Sequence, residues 1–291
     1  MTEPSVMASG SVPPPGALLA DFSLEMTGQD AARLEQASST IPPGTRINMT
    51  FLAHEDLPAR LMAVRSISRL GFTPVPHIPA RRLRSQGMLE EFLTALRAEC
   101  AIENVLAVGG DPAEPEGPYA DALAIMRTGL LQRYGTRHVS VSGYPDGHPD
   151  IPGPVLWSAL EAKAGLLDQY QLDGTIITQF SFDADPVLAW IEEVRTRGIS
   201  LPVRVGVPGP AGARRLLAYA ARFGVATSAG IARKYGLSLT SLMGTAGPDR
   251  FIRALARGYD PGRHGAVKLH FYTFGGLAAT SQWVAAFRDA A

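Results

Sequence analysis

The chain has 291 residues, 46% hydrophobic and 19% charged, with 27 basic and 27 acidic side chains and no formal net charge. That balance suits one large α/β domain or two small ones and can bury a core, but it offers no electrostatic footprint for nucleic acid or an anionic membrane. One cysteine, Cys100, excludes an intrachain disulfide and a thiolate metal cage and fits a reducing cytoplasm, and no apolar run reaches the roughly 18 residues of a transmembrane helix.

Residues 1–17 are rich in Ser, Pro and Gly and lack the basic start and apolar stretch of a secretory signal. They read as a disordered tail, and residues 18–291 as one domain. Apolar strand runs then recur with room for a helix between them. They are Asp21–Met26, Arg46–Leu52, Phe72–Ile78, Asn104–Val108, His138–Ser142, Thr175–Thr178, Val203–Val207 and Val267–Thr273. Most are near-continuous rather than alternating, as in parallel strands buried on both faces. Apolar residues at helical spacing predict helices over Leu57–Leu70, Met88–Cys100, Tyr119–Tyr134, Val155–Gln169, Pro186–Arg197 and Ala211–Phe223. Two more, near Ser228–Tyr235 and Pro248–Arg257, fill the long gap before the eighth strand, and Leu277–Ala290 closes the chain. Eight such alternations predict an α/β fold of the (β/α)8 TIM-barrel kind. The competing doubly wound sheet usually carries Gly-x-Gly-x-x-Gly after its first strand; here that turn reads Glu25-Met-Thr-Gly-Gln-Asp30.

Barrel enzymes carry their chemistry at the C-terminal strand ends. In chain order these ends hold Glu25, Thr50, His77, Gly109-Gly110-Asp111, Tyr144 with His148, Gln179, Pro208-Gly209-Pro210 and Tyr272. Glu25 lies between Leu24 and Met26. Burial there raises a carboxyl pKa and makes a general acid near neutral pH; the alternative is a buried Glu paired with an Arg or Lys. Gln179 is an uncharged amide between apolar Ile177 and the aromatics Phe180 and Phe182. It donates and accepts at once, so it can read a flat heterocycle or another amide, or equally cap a loop. Gly109 and Gly110 let backbone approach a ligand, with Asp111 beside them as a carboxylate or a helix cap. No Gly-Lys-Ser/Thr follows, so this is not a nucleotide-hydrolysing phosphate loop. His77 and His148 suit hydrogen bonding to a cofactor better than metal ligation, for want of a paired His or Glu at ligand spacing. Arg81, Arg82 and Arg84 face a phosphate or, preferably, begin a solvated helix. No Gly-x-Ser-x-Gly elbow occurs and Cys100 falls in a predicted helix, so covalent nucleophilic catalysis finds no support.

Taken in order over about residues 20–287, these motifs resemble the bacterial single-domain methylenetetrahydrofolate reductases. The pieces are Phe22-Ser-Leu-Glu25, Thr50, Pro76-His77, Gly110-Asp111, Gly117-Pro-Tyr119-Ala120, Gly143-Tyr-Pro-Asp-Gly-His148-Pro149, Ile177-Thr-Gln-Phe-Ser-Phe-Asp183 and His270-Phe-Tyr-Thr273. The resemblance implies a (β/α)8 barrel with FAD at the strand ends. It implies a ping-pong cycle in which NADH or NADPH reduces the flavin and methylenetetrahydrofolate is then reduced to 5-methyltetrahydrofolate. Glu25 matches the general acid that opens the folate ring, Asp111 a carboxylate near flavin and pterin, and Gln179 an amide that binds nicotinamide and pterin in turn. Thr50, His77, Gly109, Gly110, Tyr119, Ala120, Tyr144 and His148 match flavin-contacting positions, Lys163 a phosphate-binding lysine, and Tyr272 a tyrosine near the substrate. Homo-oligomers are typical of the family.

The chain also departs from that pattern. Gly109 stands where an arginine is usual, the stretch from Lys163 to Gln179 is about five residues longer, and Gly212 replaces an aromatic after the seventh strand. One of Arg81, Arg82 and Arg84 is expected to restore the missing charge. The departures motivate an alternative, direct hydride transfer from NADH without a flavin. A catalytically silent folate or flavin binder is a further alternative, disfavoured by the presence of Glu25, Asp111 and Gln179 together.

Overall fold

The computed structural model describes residues 15–52, 55–100, 102–225 and 245–290. Eight parallel strands close a barrel. They are β1 Ser23–Met26, β2 Arg46–Met49, β3 Thr73–Pro79, β4 Asn104–Val108, β5 His138–Gly143, β6 Asp173–Phe180, β7 Val203–Pro208 and, after a short antiparallel pair β8 Ala211–Gly212 and β9 Thr245–Ala246, β10 Val267–Tyr272. The ring order is β1-β10-β7-β6-β5-β4-β3-β2, and each predicted strand run lies on one of its members. The (β/α)8 barrel is therefore the fold of this chain.

Alternation along each strand sorts the side chains. Leu24, Ile47, Val105, Val139, Ile176, Val205 and Leu269 join the surrounding helices in one core. Val75, Leu106 and Ile177 form a separate small apolar cluster, a plug inside the barrel. His77 and Gln179 lie two residues beyond plug residues on their own strands, so they share the inward face at the C-terminal mouth.

Strand β3 shows how sequence sets pairing. Thr73 N donates to Thr45 O, so odd-numbered residues face β2. Pro74 and Pro76 then fall on the β4 side without an N–H. Pairing with β4 accordingly begins only at His77↔Leu106.

The helices largely follow their predicted spans: Leu57–Arg69, Gln86–Glu99, Gly153–Gln169, Ala184–Thr196, Asp249–Gly258 and Leu277–Ala290. The predicted Tyr119–Tyr134 helix is instead two, Ala122–Arg127 and Leu130–Arg133, because Gly129 at φ +69 interrupts it. A helix at Ala31–Ala37, absent from the sequence reading, follows β1 and buries only Leu34 and Ala37. The predicted tail runs too far. Pro15–Leu18 is helical, Leu18 and Leu19 are buried, and Ala17 O accepts from Lys268 Nζ at 3.1 Å. Residues 1–14 and the predicted helix near Ser228–Tyr235 lie outside the described residues. No helix among the described residues is long and apolar enough to cross a membrane.

Candidate active site

Strand β1 turns Ser23 and Glu25 inward, and β10 sets His270 opposite Ser23 and Tyr272 opposite Glu25. His270 is fully buried and bridges the pair: its Nδ1 is 2.9 Å from Ser23 Oγ and its Nε2 3.5 Å from Glu25 Oε2. This chain of contacts has two self-consistent proton arrangements. With Ser23 donating to Nδ1, Nε2–H points at an ionised Glu25. With Nδ1–H donating to Ser23, Nε2 accepts from a protonated Glu25. Glu25 thus sits in a polar setting rather than the apolar one its strand neighbours suggest, and it pairs with imidazole, not with Arg or Lys. Neither Ser23 nor His270 is marked as functional by its own residue type and neighbours, although each stands two residues from Glu25 or Tyr272 on the same strand face.

A second imidazole faces the same carboxylate. His77 Nε2 lies 3.8 Å from Glu25 Oε2 and has no hydrogen-bond partner. Burial lowers its pKa from 6.5 to about 4, with Glu25 opposing. Between these values the unfolded chain binds a proton that the folded chain refuses, so folding stability rises with pH in this window. We expect wild type to lose up to about 1.4 kcal/mol per pH unit from this group as pH falls from about 6.5 towards about 4. A His77→Asn variant should lack that component in urea titrations; parallel pH profiles would contradict the assignment.

Gln179 caps its loop with one end of its amide. Its Oε1 accepts from Phe180 N at 3.0 Å, which fixes the loop, while Nε2 has no hydrogen-bond partner among the described residues. A register shift between Ile177 and Phe180 presents the amide. There Thr178 Oγ1 replaces a ladder acceptor by taking the Gly206 N–H at 2.8 Å, and Thr178 O receives the Tyr272 hydroxyl at 3.0 Å. Burial, then Glu25 and Tyr144, push the Tyr272 phenol well above its ordinary pKa, so Tyr272 stays a neutral donor.

Across the mouth, the Gly109-Gly110 turn has open space around Gly109, and Gly110 takes φ +95. The Arg82 guanidinium grips Asp111 in a two-pronged pair, with both N–O distances 2.7 Å. That contact holds the Asp111 carboxyl below its ordinary range, with Arg222 assisting. Arg81 is committed to the carbonyls of Ala120, Pro112 and Ala113, and Arg84 pairs with Glu116. Arg81 and Arg82, in the short helical turn Ala80–Arg82, therefore clasp the β4 loop, while Arg84 beyond it stays largely exposed. Thr50 donates to Met26 O at 2.9 Å. Tyr144 and His148 meet edge to face at 5.4 Å, and His148 Nδ1 accepts from Asp150 N. Tyr119 is buried in the hydrophobic core, only 6% exposed, and its ring is committed to packing. Lys163 is buried on the Gly153–Gln169 helix. Burial lowers its pKa to about 8, opposed only by Asp121, and its ammonium has no hydrogen-bond partner among the described residues. No cluster of three or more His, Cys, Asp or Glu suited to a metal occurs among the described residues.

The structure therefore gathers Glu25, His77, Gln179 and Tyr272 on the inner rim, with Ser23 and His270 behind them. Asp111, Tyr144 and His148 stand on the loops above, and Tyr119 follows in the same β4 loop with its ring packed on the core. The sequence model of the family described as "Methylenetetrahydrofolate reductase" matches residues 31–226. Methylenetetrahydrofolate reductase 2 of Saccharomyces cerevisiae is 26% identical over 148 residues, covering 48% of this chain and 24% of that protein. Methylenetetrahydrofolate reductase (NADH) 1 of Zea mays is 32% identical over 119 residues, or 36% of this chain and 20% of that one. A bacterial relative, 5,10-methylenetetrahydrofolate reductase of Pectobacterium carotovorum, is 27% identical over 146 residues, 48% of this chain and 44% of that one. The aligned part is thus less than half of each relative. With the family's sequence pattern lying on a barrel whose rim holds Glu25 and Gln179, the chain belongs to the methylenetetrahydrofolate reductase family.

Proposed function

We propose that this chain reduces 5,10-methylenetetrahydrofolate to 5-methyltetrahydrofolate at the expense of NADH or NADPH. The observation that carries the reading is the Ser23–His270–Glu25 chain of contacts ending at the barrel mouth, with an amide on the same rim whose Nε2 has no hydrogen-bond partner among the described residues. The reaction needs one proton and one hydride. The proton leaves Glu25 Oε2 for the folate nitrogen whose bond to the bridging methylene breaks, leaving an iminium at the other nitrogen. The hydride then reaches the methylene carbon and makes the methyl group. The carboxylate that remains suits the arrangement in which Ser23 donates to Nδ1 and Nε2–H points at Glu25, which meets the charge with a hydrogen bond. His77, neutral at physiological pH, adds no positive charge that would hold Glu25 ionised. Gln179 Nε2 donates to a carbonyl of the heterocycle, with its Oε1 held by Phe180 N.

The residues present fit a flavin. His77 Nε2 is a buried polar atom without a partner, the Gly109 turn is open, and Lys163 is a buried cation without a counter-ion at hydrogen-bonding distance. His77 and the Gly109-Gly110 backbone would hold the ring system and Lys163 a phosphate. When bound, FAD supplies a two-electron store that lets nicotinamide and folate use one site in turn. The commitment of Arg81 and Arg82 to the protein itself favours the second reading, direct transfer from nicotinamide to folate. The visible spectrum of the purified chain decides between them: flavin bands that bleach under anaerobic NADH select the first route, and a colourless, active protein the second.

Lys163 gives a further expectation. A lysine whose folded pKa is depressed destabilises the protein as pH falls from its unfolded value of 10.5 through about 8. Lys163→Met should therefore raise the Tm of ligand-free protein at neutral pH, while weakening FAD retention about tenfold or more. A lower Tm with unchanged retention would show that Lys163 is purely structural.

A further inference from the structure

The 40 residues from Gly209 to Pro248 carry five basic side chains and no carboxylate, in a chain with no formal net charge. Two of the five, Arg215 and Arg222, lie seven positions apart on the helix Ala213–Arg222, so they share one face of it with Tyr219 between them. Contacts place that face at the C-terminal ends of the strands. Arg215 NH1 donates at 3.0 Å to Phe274 O, two residues beyond Tyr272, the register partner of Glu25. Tyr219 stacks on the Phe274 ring at 4.0 Å. Arg222 helps to hold the Asp111 carboxyl, in the β4 loop, below its ordinary range. Gly224, just after the helix, abuts Pro149 in the β5 loop.

The other strand-end loops are anionic or have committed their cations. Asp111 and Glu114 follow β4, Asp146 and Asp150 follow β5, and Asp183 and Asp185 follow β6. After β2, Arg60 is buried and donates to the carbonyls of Leu52 and Glu55. Arg81 and Arg82 hold the β4 loop, and Lys163 is buried on its helix. Arg215 and Arg222 differ. Both are exposed, and neither has a carboxylate at ion-pair distance among the described residues. Arg215 gives one N–H to Phe274 O and keeps the rest of its donor fork. The Arg222 guanidinium lies over the Phe223 ring, 5.4 Å from its centroid, which steadies it without using its donors. The β10 loop beside Arg215 is bare of side chains: Gly275 is pressed against Pro210 O, and Gly276 takes φ +103 with open space around it.

Methylenetetrahydrofolate brings its own charges to this rim. With its ring system turned in towards Glu25, its opposite end leaves through the mouth. That end is a glutamyl group, or a γ-linked chain with one more carboxylate for each added residue. The β4, β5 and β6 loops repel it, and the Arg215–Arg222 face attracts it. Resting on the function proposed above, we infer that Arg215 and Arg222 form the site for the glutamyl carboxylates of the folate, and that this site favours substrates with more than one glutamate.

Steady-state kinetics with folates of different tail length test this. At low salt, wild type should show a lower KM for the triglutamate of methylenetetrahydrofolate than for the monoglutamate, and the gap should close as salt rises. Arg215→Gln and Arg222→Gln should each raise the triglutamate KM about 2- to 5-fold, as exposed ion pairs allow, and the double variant about 10-fold, with kcat and the KM for the dinucleotide changed less. Arg215→Lys with Arg222→Lys should restore most of the tail preference, because lysine keeps the charge. A wild type indifferent to tail length, a double variant that keeps the preference, or a rise confined to the KM of the dinucleotide overturns the inference. Calorimetric binding of the mono- and triglutamates of 5-methyltetrahydrofolate repeats the comparison without turnover. Protein that forms no methyl product yet binds the triglutamate more tightly would refute the proposed reaction and support this site. Active protein blind to tail length would refute the site alone.

Discussion

Glu25→Gln is expected to retain the fold and the reaction with NADH, yet to lose reduction of the folate by roughly 10²–10⁴-fold, the usual contribution of a positioned general acid. Glutamine preserves the length of the side chain, and its Oε1 still accepts from His270 Nε2. What it removes is the dissociable proton at the atom 3.5 Å from His270. Without that proton the folate nitrogen must leave as an anion, and the iminium is not formed. If the protein carries flavin, anaerobic NADH should bleach it at close to the wild-type rate, while subsequent methylenetetrahydrofolate fails to reoxidise it. Equal losses in both half-reactions would mean that Glu25 supports the site structurally. His270→Ala should behave as a weaker copy, because it leaves Glu25 in place but strips it of the group that exchanges a hydrogen bond with Ser23.

Gly206→Ala carries the largest expected effect on stability. A β-carbon at Gly206 would stand 2.4 Å from Thr178 O and 2.8 Å from the Gln179 carbonyl carbon and oxygen. These are backbone atoms of the bulge that presents Gln179, so no side-chain rotation relieves the clash. The same substitution disturbs the Gly206 N–H bond to Thr178 Oγ1 and, through Thr178 O, the Tyr272 hydroxyl. Overpacking of this kind costs about 3 kcal/mol, or roughly 6–12 °C in Tm for a domain of this size class. A change in Tm within about 1 °C would mean that β6 and β7 do not meet at this bulge. Because Gln179 moves with the bulge, the residual folded enzyme should also show a raised KM for both substrates.

The barrel was legible because its strands bury apolar residues on the outward face whatever the inward face does. Leu24, Ile47, Val105 and Leu269 gave near-continuous runs that fix strand identity and, by their spacing, the helices between. What escaped was geometry that arises only on closure. Ser23 and His270 are 247 positions apart in the chain, and only the β1–β10 pairing makes them neighbours. The Arg82–Asp111 clasp likewise depends on the β4 loop folding back over the end of β3. The periodicity of Ala211–Phe223 signalled the helix that forms over Ala213–Arg222 and buries Leu216 and Ala220. Gln179 was readable as an amide at a strand end, whereas the division of labour between its Oε1 and Nε2 required the bulge.

The most direct measurement is anaerobic incubation of the purified full chain with methylenetetrahydrofolate and either NADH or NADPH, followed by quantitation of 5-methyltetrahydrofolate. With at least one nicotinamide donor, the wild-type protein should form methyl product in a one-to-one ratio with oxidised nucleotide, and Glu25→Gln should form almost none. Folded wild-type protein that yields no methyl product with either donor, or a Glu25→Gln variant as active as wild type, would contradict the account.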